Sequence, residues 1–440
     1  MLAGAIWSVL SLASVVLILR YAPAPLWIPL VVFVVFYVLT TAIGASVLAV
    51  PLIRDLWAAT YPTMDSKWIS PGDSAGYWLM VWGPLPLTGG AALLLYPYAR
   101  KPATVVARLL GQRVDLLAAT LVATAMCVYC WTNLGVHGYL GVSLLNSDLI
   151  GLYRENILLR TEMFTSLGTL HFAAVYMGIP AIAILAYCNA VRSRTPGWWL
   201  LFVVLALNLF LLYSATLTKA NVLVFGIQVV IAAQILGVVG ARGLLLAAVS
   251  GVLVLTVLSA LLSGIGALDL ALTGYNIIFR EASDVPFYLA VFPAQLPFIG
   301  IDLGLGAFGL GPTVASNFEV ANFMYPHETW VQGAAPAAAH VMAYGQAGYP
   351  WALVTMVLMG LWIAFTGQLR RWVGNPVVFS AFIGAVTTCY YLTQVDFVGA
   401  FNVSYGYKWW LAALLLLLAV QRVLSVALRA PQPAAQGGAA

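Results

Sequence analysis

The sequence predicts an all-α polytopic integral membrane protein of about eleven transmembrane helices, and three observations predict it. Only 8% of its 440 residues are charged, where a soluble globular chain carries roughly 25%. The mean hydropathy is +0.98 and 63% of residues are hydrophobic, more apolar side chain than a water-soluble fold can enclose. Apolar runs of about 20 residues recur along the chain, each long enough to cross the ~30 Å hydrocarbon layer.

The runs cover residues 2–19, 26–50, 77–98, 114–134, 166–190, 197–213, 220–239, 243–265, 349–367, 376–395 and 409–427. The first is read as a span and not a cleaved signal peptide, because Arg20 follows the apolar run and no basic residue precedes it. Residues 1–427 form one helical bundle, and the low-complexity end 428–440 is expected to be a disordered cytoplasmic tail. A large loop, 266–348, precedes the last three spans. Its centre, "FYLAVFPAQLPFIGIDLGLGAFGLG", is apolar but interrupted by Pro and Gly, which suggests re-entrant or interfacial helices. A twelfth span hidden there would reverse the topology downstream.

Charge sets the expected orientation. Alternate connections carry Arg20; Arg100, Lys101, Arg108 and Arg113; Arg192 and Arg194; Arg242; Arg370 and Arg371; and Arg422 and Arg429, with a single acid, Asp115. The opposite connections carry Arg54, Lys67, Arg154, Arg160, Lys219, Arg280 and Lys408 together with every other acid. The N-terminus is therefore expected outside the cytoplasm and the C-terminus inside. The long connections, 51–76, 135–165 and 266–348, all fall outside.

Several function classes lose support. There is no Walker loop, DxD pair, HExxH or G-x-S-x-G. "GLGAFG" at 304–309 spells a dinucleotide fingerprint but lies in the large loop without a preceding strand, so it reads as tight turns. No cofactor or metal site is expected. The four cysteines lie in apolar stretches and read as core thiols, although Cys127 and Cys130 have redox-motif spacing. Ion-coupled transport usually needs acids or histidines in mid-membrane. Only His171 lies within an expected span, and no paired interrupted helices are apparent.

What remains is polar chemistry on the outer side. "YRENILLRTE" (153–162) holds Arg154 and Arg160, which six residues set on different faces of a helix. They pair locally with Glu155 and Glu162 or hold an anion. Lys219, one of four lysines, opens the seventh span in "SATLTKANVLV". It is an interfacial anchor or a point charge for a phosphate at a helix start. In the large loop, "FREASDVP" offers Arg280, Glu281 and Asp284, and "YPHETW" offers His327 and Glu328. These are solvated loop charges, or an arginine and carboxylates able to bind phosphate and take a proton from a hydroxyl.

Finally, "QGAAPAAAHVMAYGQAGYPWALVTMVLMGLW" runs from a small-residue and Pro segment through an aromatic and G-x-x-G into a long apolar helix. Through Pro336, Tyr344, Gly345 and Gly348 this resembles the C-terminal signature of Wzy-type oligosaccharide repeat-unit polymerases. The tight turn before Lys219 and the large loop before the last spans resemble the same family. The resemblance implies an enzyme of the bacterial inner membrane that joins undecaprenyl-pyrophosphate-linked repeat units on the periplasmic face, without metal or nucleotide. It implies work alongside a flippase and a chain-length regulator, with no nucleic acid involved. Arg154, Arg160, Lys219 and Arg280 then become pyrophosphate ligands and Tyr344 a glycan contact. Asp284, His327, Glu328 or His340 would position or deprotonate the acceptor hydroxyl. The family's R-x10-G pattern is absent: Thr165, His171 and Val291 stand where Gly would follow Arg154, Arg160 and Arg280. O-antigen ligases, the nearest relatives, also carry a His upstream of G-x-x-G. Here His340 lies five residues before Gly345 and His327 eighteen. A ligase and a transporter or flippase of lipid-linked sugars remain the alternatives.

Overall fold

The computed structural model describes residues 2–53, 55, 75–98, 114–142, 153–240, 281–301, 316–324, 335–402 and 406–428. It is an all-α membrane protein, with no strand among the described residues. The helices are α1 (Leu2–Tyr21), α2 (Ala24–Leu48), α3 (Ala75–Trp82), α4 (Pro84–Leu95), α5 (Leu116–Val136), α6 (Tyr153–Ala173), α7 (Ile179–Ser193), α8 (Pro196–Ala215) and α9 (Lys219–Ile235). They continue with α10 (281–291), α11 (Ser316–Met324), α12 (Ala339–Leu369), α13 (Pro376–Tyr391), α14 (Gly399–Asn402) and α15 (Tyr407–Ala427).

Among the described residues, seven helices are long and apolar enough to cross a membrane, or eight if the α3–α4 pair, bent by 50°, is one span. The expected count of eleven is not reached, for two reasons. Helices α9 and α13 are apolar but short; the 16 residues of α13 reach only about 24 Å. The expected span 243–265 lies outside the described residues.

Hydrogen bonds fix which helix ends lie together. Arg192 donates to the carbonyls of Gly374 and Val373 at 2.7 and 2.6 Å, and Gln368 donates to Tyr96 O at 2.7 Å. These draw the arginine-bearing turns to one end of the bundle. At the other end Ala339 N donates to Leu392 O at 3.0 Å and Asn133 Nδ2 to Leu167 O at 3.0 Å. Of the described acids, Asp55, Glu155, Glu162, Glu281, Asp284, Glu319 and Asp396 belong to connections of this second, acid-bearing end, and Asp115, at the start of α5, belongs to the basic end. The segregation read from the sequence is thus built into the fold. The central span is Thr161–Ser193, 89% buried against 17% for the first span.

Two long spans are broken, at positions the sequence reading did not single out as interruptions. Gly168 interrupts α6 at φ 73°, ψ 166°. Ala347 and Gly348 interrupt α12, Gly348 at φ 75°, ψ −165°. Both glycines sit in a backbone region essentially closed to other residues. Two π-helical turns, Val38–Ala42 in α2 and Ala174–Gly178 between α6 and α7, lie in the same half of the bundle. Non-helical backbone at membrane depth survives only where protein or water satisfies it, so each irregularity needs partners. Those partners define the site.

Candidate functional site

The break in α12 is the centre of the arrangement. Pro350 lacks the N–H that would bond Gln346 O, and the Gly348 conformation carries the following turn out of register. The freed carbonyls of Gly345 and Gln346 accept instead from Ile299 N at 3.3 Å and Gly300 N at 3.0 Å. The chain after α10 therefore folds back against α12, and its backbone replaces the missing helical bonds. This is how the apolar insert expected to be re-entrant or interfacial is held. Both glycines of G-x-x-G serve the docking. A Cβ at Gly345 would stand 2.9 Å from Phe292 Cε2 and 2.9 Å from Ser316 Cβ, and one at Gly348 3.1 Å from Phe298 Cζ. The motif lets α10, α11 and the returning chain approach α12 closely.

Tyr344 takes part in the same docking. Its hydroxyl donates to Phe292 O at 3.0 Å and its ring meets Phe298 and Tyr349 edge-on. It is buried, and its polar atom is engaged with backbone.

Helix α10 carries the acids. Glu281, Ser283, Asp284 and Tyr288 are all buried, an arrangement a loop of solvated charges would not adopt. Ser283 Oγ donates to Asp284 Oδ1 at 3.3 Å. One turn on, the Tyr288 hydroxyl donates to Ala335 O at 3.0 Å, and Ser316 donates to Met342 O at 3.1 Å. Burial first, then the charges of Asp284 and Asp396, hold the Tyr288 phenol well above its usual ionisation range, against the opposing effect of its Ser316 hydrogen bond. The phenol is thus a permanent hydrogen-bond donor. Asp396 caps the short helix α14 through Gly399 N. Glu281, Ser283, Asp284 and Asp396 all have partners. Helices α10, α11 and α12 and the segment at Ala335 thus meet around buried polar groups, with the half-buried Asp396 near enough to act on Tyr288 electrostatically.

His340 lies at a second irregularity. The bend at Gly83–Pro84 removes the N–H that would bond Met80 O. His340 Nε2 takes that carbonyl at 2.8 Å, and the Tyr37 hydroxyl lies 3.0 Å from Met80 O and 2.9 Å from Val81 O. A carbonyl only accepts, so Nε2 carries the proton. The ring is fully enclosed. This geometry makes His340 a clamp on the bent α3–α4 span, where the sequence reading had it acting on a substrate hydroxyl.

The remaining sequence candidates are less defined. Arg154 and Arg160 lie on α6 and Lys219 at the first residue of α9, with their side chains outside the described residues. Arg280, His327 and Glu328 lie outside the described residues altogether. Sequence reasoning missed Tyr37, Tyr288, Ser316 and Asp396. The spacing of Tyr288, four residues after Asp284, becomes a signal only if 281–291 is read as a helix. A narrow fissure between α2, α9 and α13 is lined by Val32, Phe36, Ile227, Ile231, Val386 and Tyr390. Within it Gln228 Nε2 donates to Thr387 Oγ1 at 3.1 Å.

Comparison with protein-family models, with curated proteins and with solved structures finds no match to this chain.

Proposed function

We propose that this chain is a membrane glycosyltransferase that polymerises undecaprenyl-pyrophosphate-linked oligosaccharide repeat units into O-antigen, capsule or exopolysaccharide. The observation that carries the reading is the assembly of two distant sequence stretches into one buried polar cluster. "EASDVPFY" supplies Glu281, Asp284 and Tyr288, and "APAAAHVMAYGQAG" supplies the broken helix on which they dock. These are the stretches that hold the predicted carboxylate and the resemblance to the polymerases.

The chemistry follows from the residue types. An acceptor hydroxyl oxygen attacks the anomeric carbon of the donor glycan, and the bond from that carbon to the pyrophosphate oxygen breaks. The hydroxyl proton passes to a carboxylate, for which Asp284 is the candidate, and the pyrophosphate leaves with the bonding electrons. Charge developing on it calls for cations, the role proposed for Arg154, Arg160, Lys219 and Arg280. Tyr288 and Ser316 hold the carboxylate-bearing helix in place. By the charge rule the acid-bearing end faces the periplasm of a bacterial inner membrane.

Transport of a lipid-linked sugar is the second reading, and the broken spans favour it, since interrupted helices often bind substrate in transporters. Both broken spans, Thr161–Ser193 and Ala339–Trp372, however, run from the acid-bearing end toward the basic end, and in each the break lies within the first third. Inverted repeats would set them in opposite directions.

The test is surface-polysaccharide length on gels from cells carrying Asp284→Asn or Arg280→Ala at matched protein levels. Single repeat units on the final acceptor are the polymerase result. Full-length polymer stranded on the lipid carrier indicates the ligase, and undiminished polymer from both variants refutes the site.

A further inference from the structure

The break in α6 holds a polar group that neither the docking of α10 nor the proposed chemistry uses. His171 is fully buried, three residues past Gly168. Asn133 Nδ2, from α5, lies 3.0 Å from Leu167 O and 3.3 Å from His171 Nδ1. The first contact fixes the amide orientation, because a carbonyl can only accept from an NH2. Nδ1 must then accept as well, and the ring proton sits on Nε2. That Nε2–H is buried without a hydrogen-bond partner among the described residues. An isolated buried donor of this kind is costly unless a ligand meets it.

The surroundings favour an anion. The chain past Gly168 begins a new helical run that continues through the π-turn to Ser193. A helix beginning this way has first-turn N–H groups without carbonyls in register. It also presents the positive end of its dipole. Leu167 O, which an unbroken helix would offer to His171 N, is bonded to Asn133 instead. The Asn133 bridge holds the imidazole beside this helix start, and Cα–Cβ bonds lean toward a helix N-terminus. Among the described residues, a Cβ added at Gly168 would meet no atom within 4 Å. Tyr129 and Phe172 flank the ring, with centroids 6.5 and 5.3 Å away, and keep the local dielectric low.

We infer that the Gly168 break is a binding site for a phosphoryl oxyanion, held by His171 Nε2–H and the first-turn N–H groups that follow Gly168. The anion is either free in solution or the phosphate head of a membrane lipid. This deepens the reading above by giving the charged end of a lipid carrier a definite seat, and its test reads binding instead of polymer.

Purified full-length protein in phosphatidylcholine nanodiscs, labelled with 15N-histidine, is titrated with inorganic pyrophosphate in one arm. In the other arm the discs are doped with a polyisoprenyl phosphate. The His171 Nε2–H resonance is expected to shift on saturation. A shift in the first arm identifies a soluble anion, and a shift in the doped discs alone identifies a lipid headgroup. Variants at 171 lack that resonance, so their binding is read by calorimetric titration with the same two probes: His171→Gln keeps a donor at the Nε2 position and should bind within about threefold of wild type. His171→Asn keeps only the Nδ1 side and should weaken binding by about 10- to 150-fold, the range for one hydrogen bond to a charged group. No shift in either arm, or equal binding by both variants, overturns the inference. If Asp284→Asn still abolishes polymer in that case, the glycosyltransferase reading stands without this site.

Discussion

Replacing Gly348 by alanine sets two energies against each other, and the structure gives both. Keeping the break would force alanine to φ 75°, ψ −165°, a strain of about 1–3 kcal/mol. Its Cβ would also press Phe298 Cζ at 3.1 Å. Straightening α12 would gain about 1 kcal/mol of helix propensity. Yet Pro350 would still lack its N–H and clash with the preceding turn, a cost of about 3 kcal/mol. The strained break is the cheaper outcome, so Gly348→Ala should lose about 1–3 kcal/mol. The double variant Gly348→Ala with Pro350→Ala removes the obstacle. The helix then closes its own ladder through Gly345 and Gln346, and the amides of Ile299 and Gly300 lose their acceptors. Thermal unfolding of the full chain in detergent, with hydrogen–deuterium exchange of residues 297–301, reads both effects. The double variant should be more heat-stable than Gly348→Ala while the Ile299 and Gly300 amides exchange at least ~100-fold faster, as expected for amides released to solvent. Unchanged exchange in the double variant, or a Gly348→Ala loss below ~0.5 kcal/mol, the ordinary surface range, would refute the account of the break.

Tyr288→Phe should cost about 1–3 kcal/mol by leaving Ala335 O buried without its donor, and should shorten polymer in the gel assay; a heat-stable variant with normal polymer would remove Tyr288 from the site. Tyr37→Phe and His340→Phe each leave Met80 O one partner, so the double variant should lose more than the sum of the two singles by about 0.5–3 kcal/mol; an additive double cycle would separate them. A fluorescent-protein fusion at the C-terminus should be bright, and an alkaline-phosphatase fusion there inactive, as expected when the basic end faces the cytoplasm. The opposite pair of results would invert the orientation.

Apolar periodicity carried much of the fold. The run expected at 114–134 is α5, Leu116–Val136, and the run beginning at 376 is α13, Pro376–Tyr391. The errors come from treating hydropathy as helicity. "YRENILLRTE" is polar but made of good helix formers, so α6 begins at Tyr153, well before the apolar run at 166. The expected span at 349 begins at Ala339, because a helix can resume past a glycine and no hydropathy window registers the join. The breaks themselves were invisible: Gly168 looks like any other of the 39 glycines, and Gly348, although part of G-x-x-G, shows itself as a break only in its backbone angles. Asp284 was noticed but read as open to solvent as much as functional. Its burial depends on α10 folding under the break in α12, a long-range contact that no local pattern encodes.

The docking of the insert on α12 uses backbone on both sides: amides from residues 299 and 300, carbonyls from 345 and 346. These backbone bonds are blind to side-chain identity, while Tyr344, Phe292 and Phe298 pack around them. Residues of the loop away from these contacts can change while the loop keeps its place, provided the glycines and the proline that open the helix persist. On the function proposed above, divergence of the insert would then alter which molecule is recognised before it altered where recognition happens.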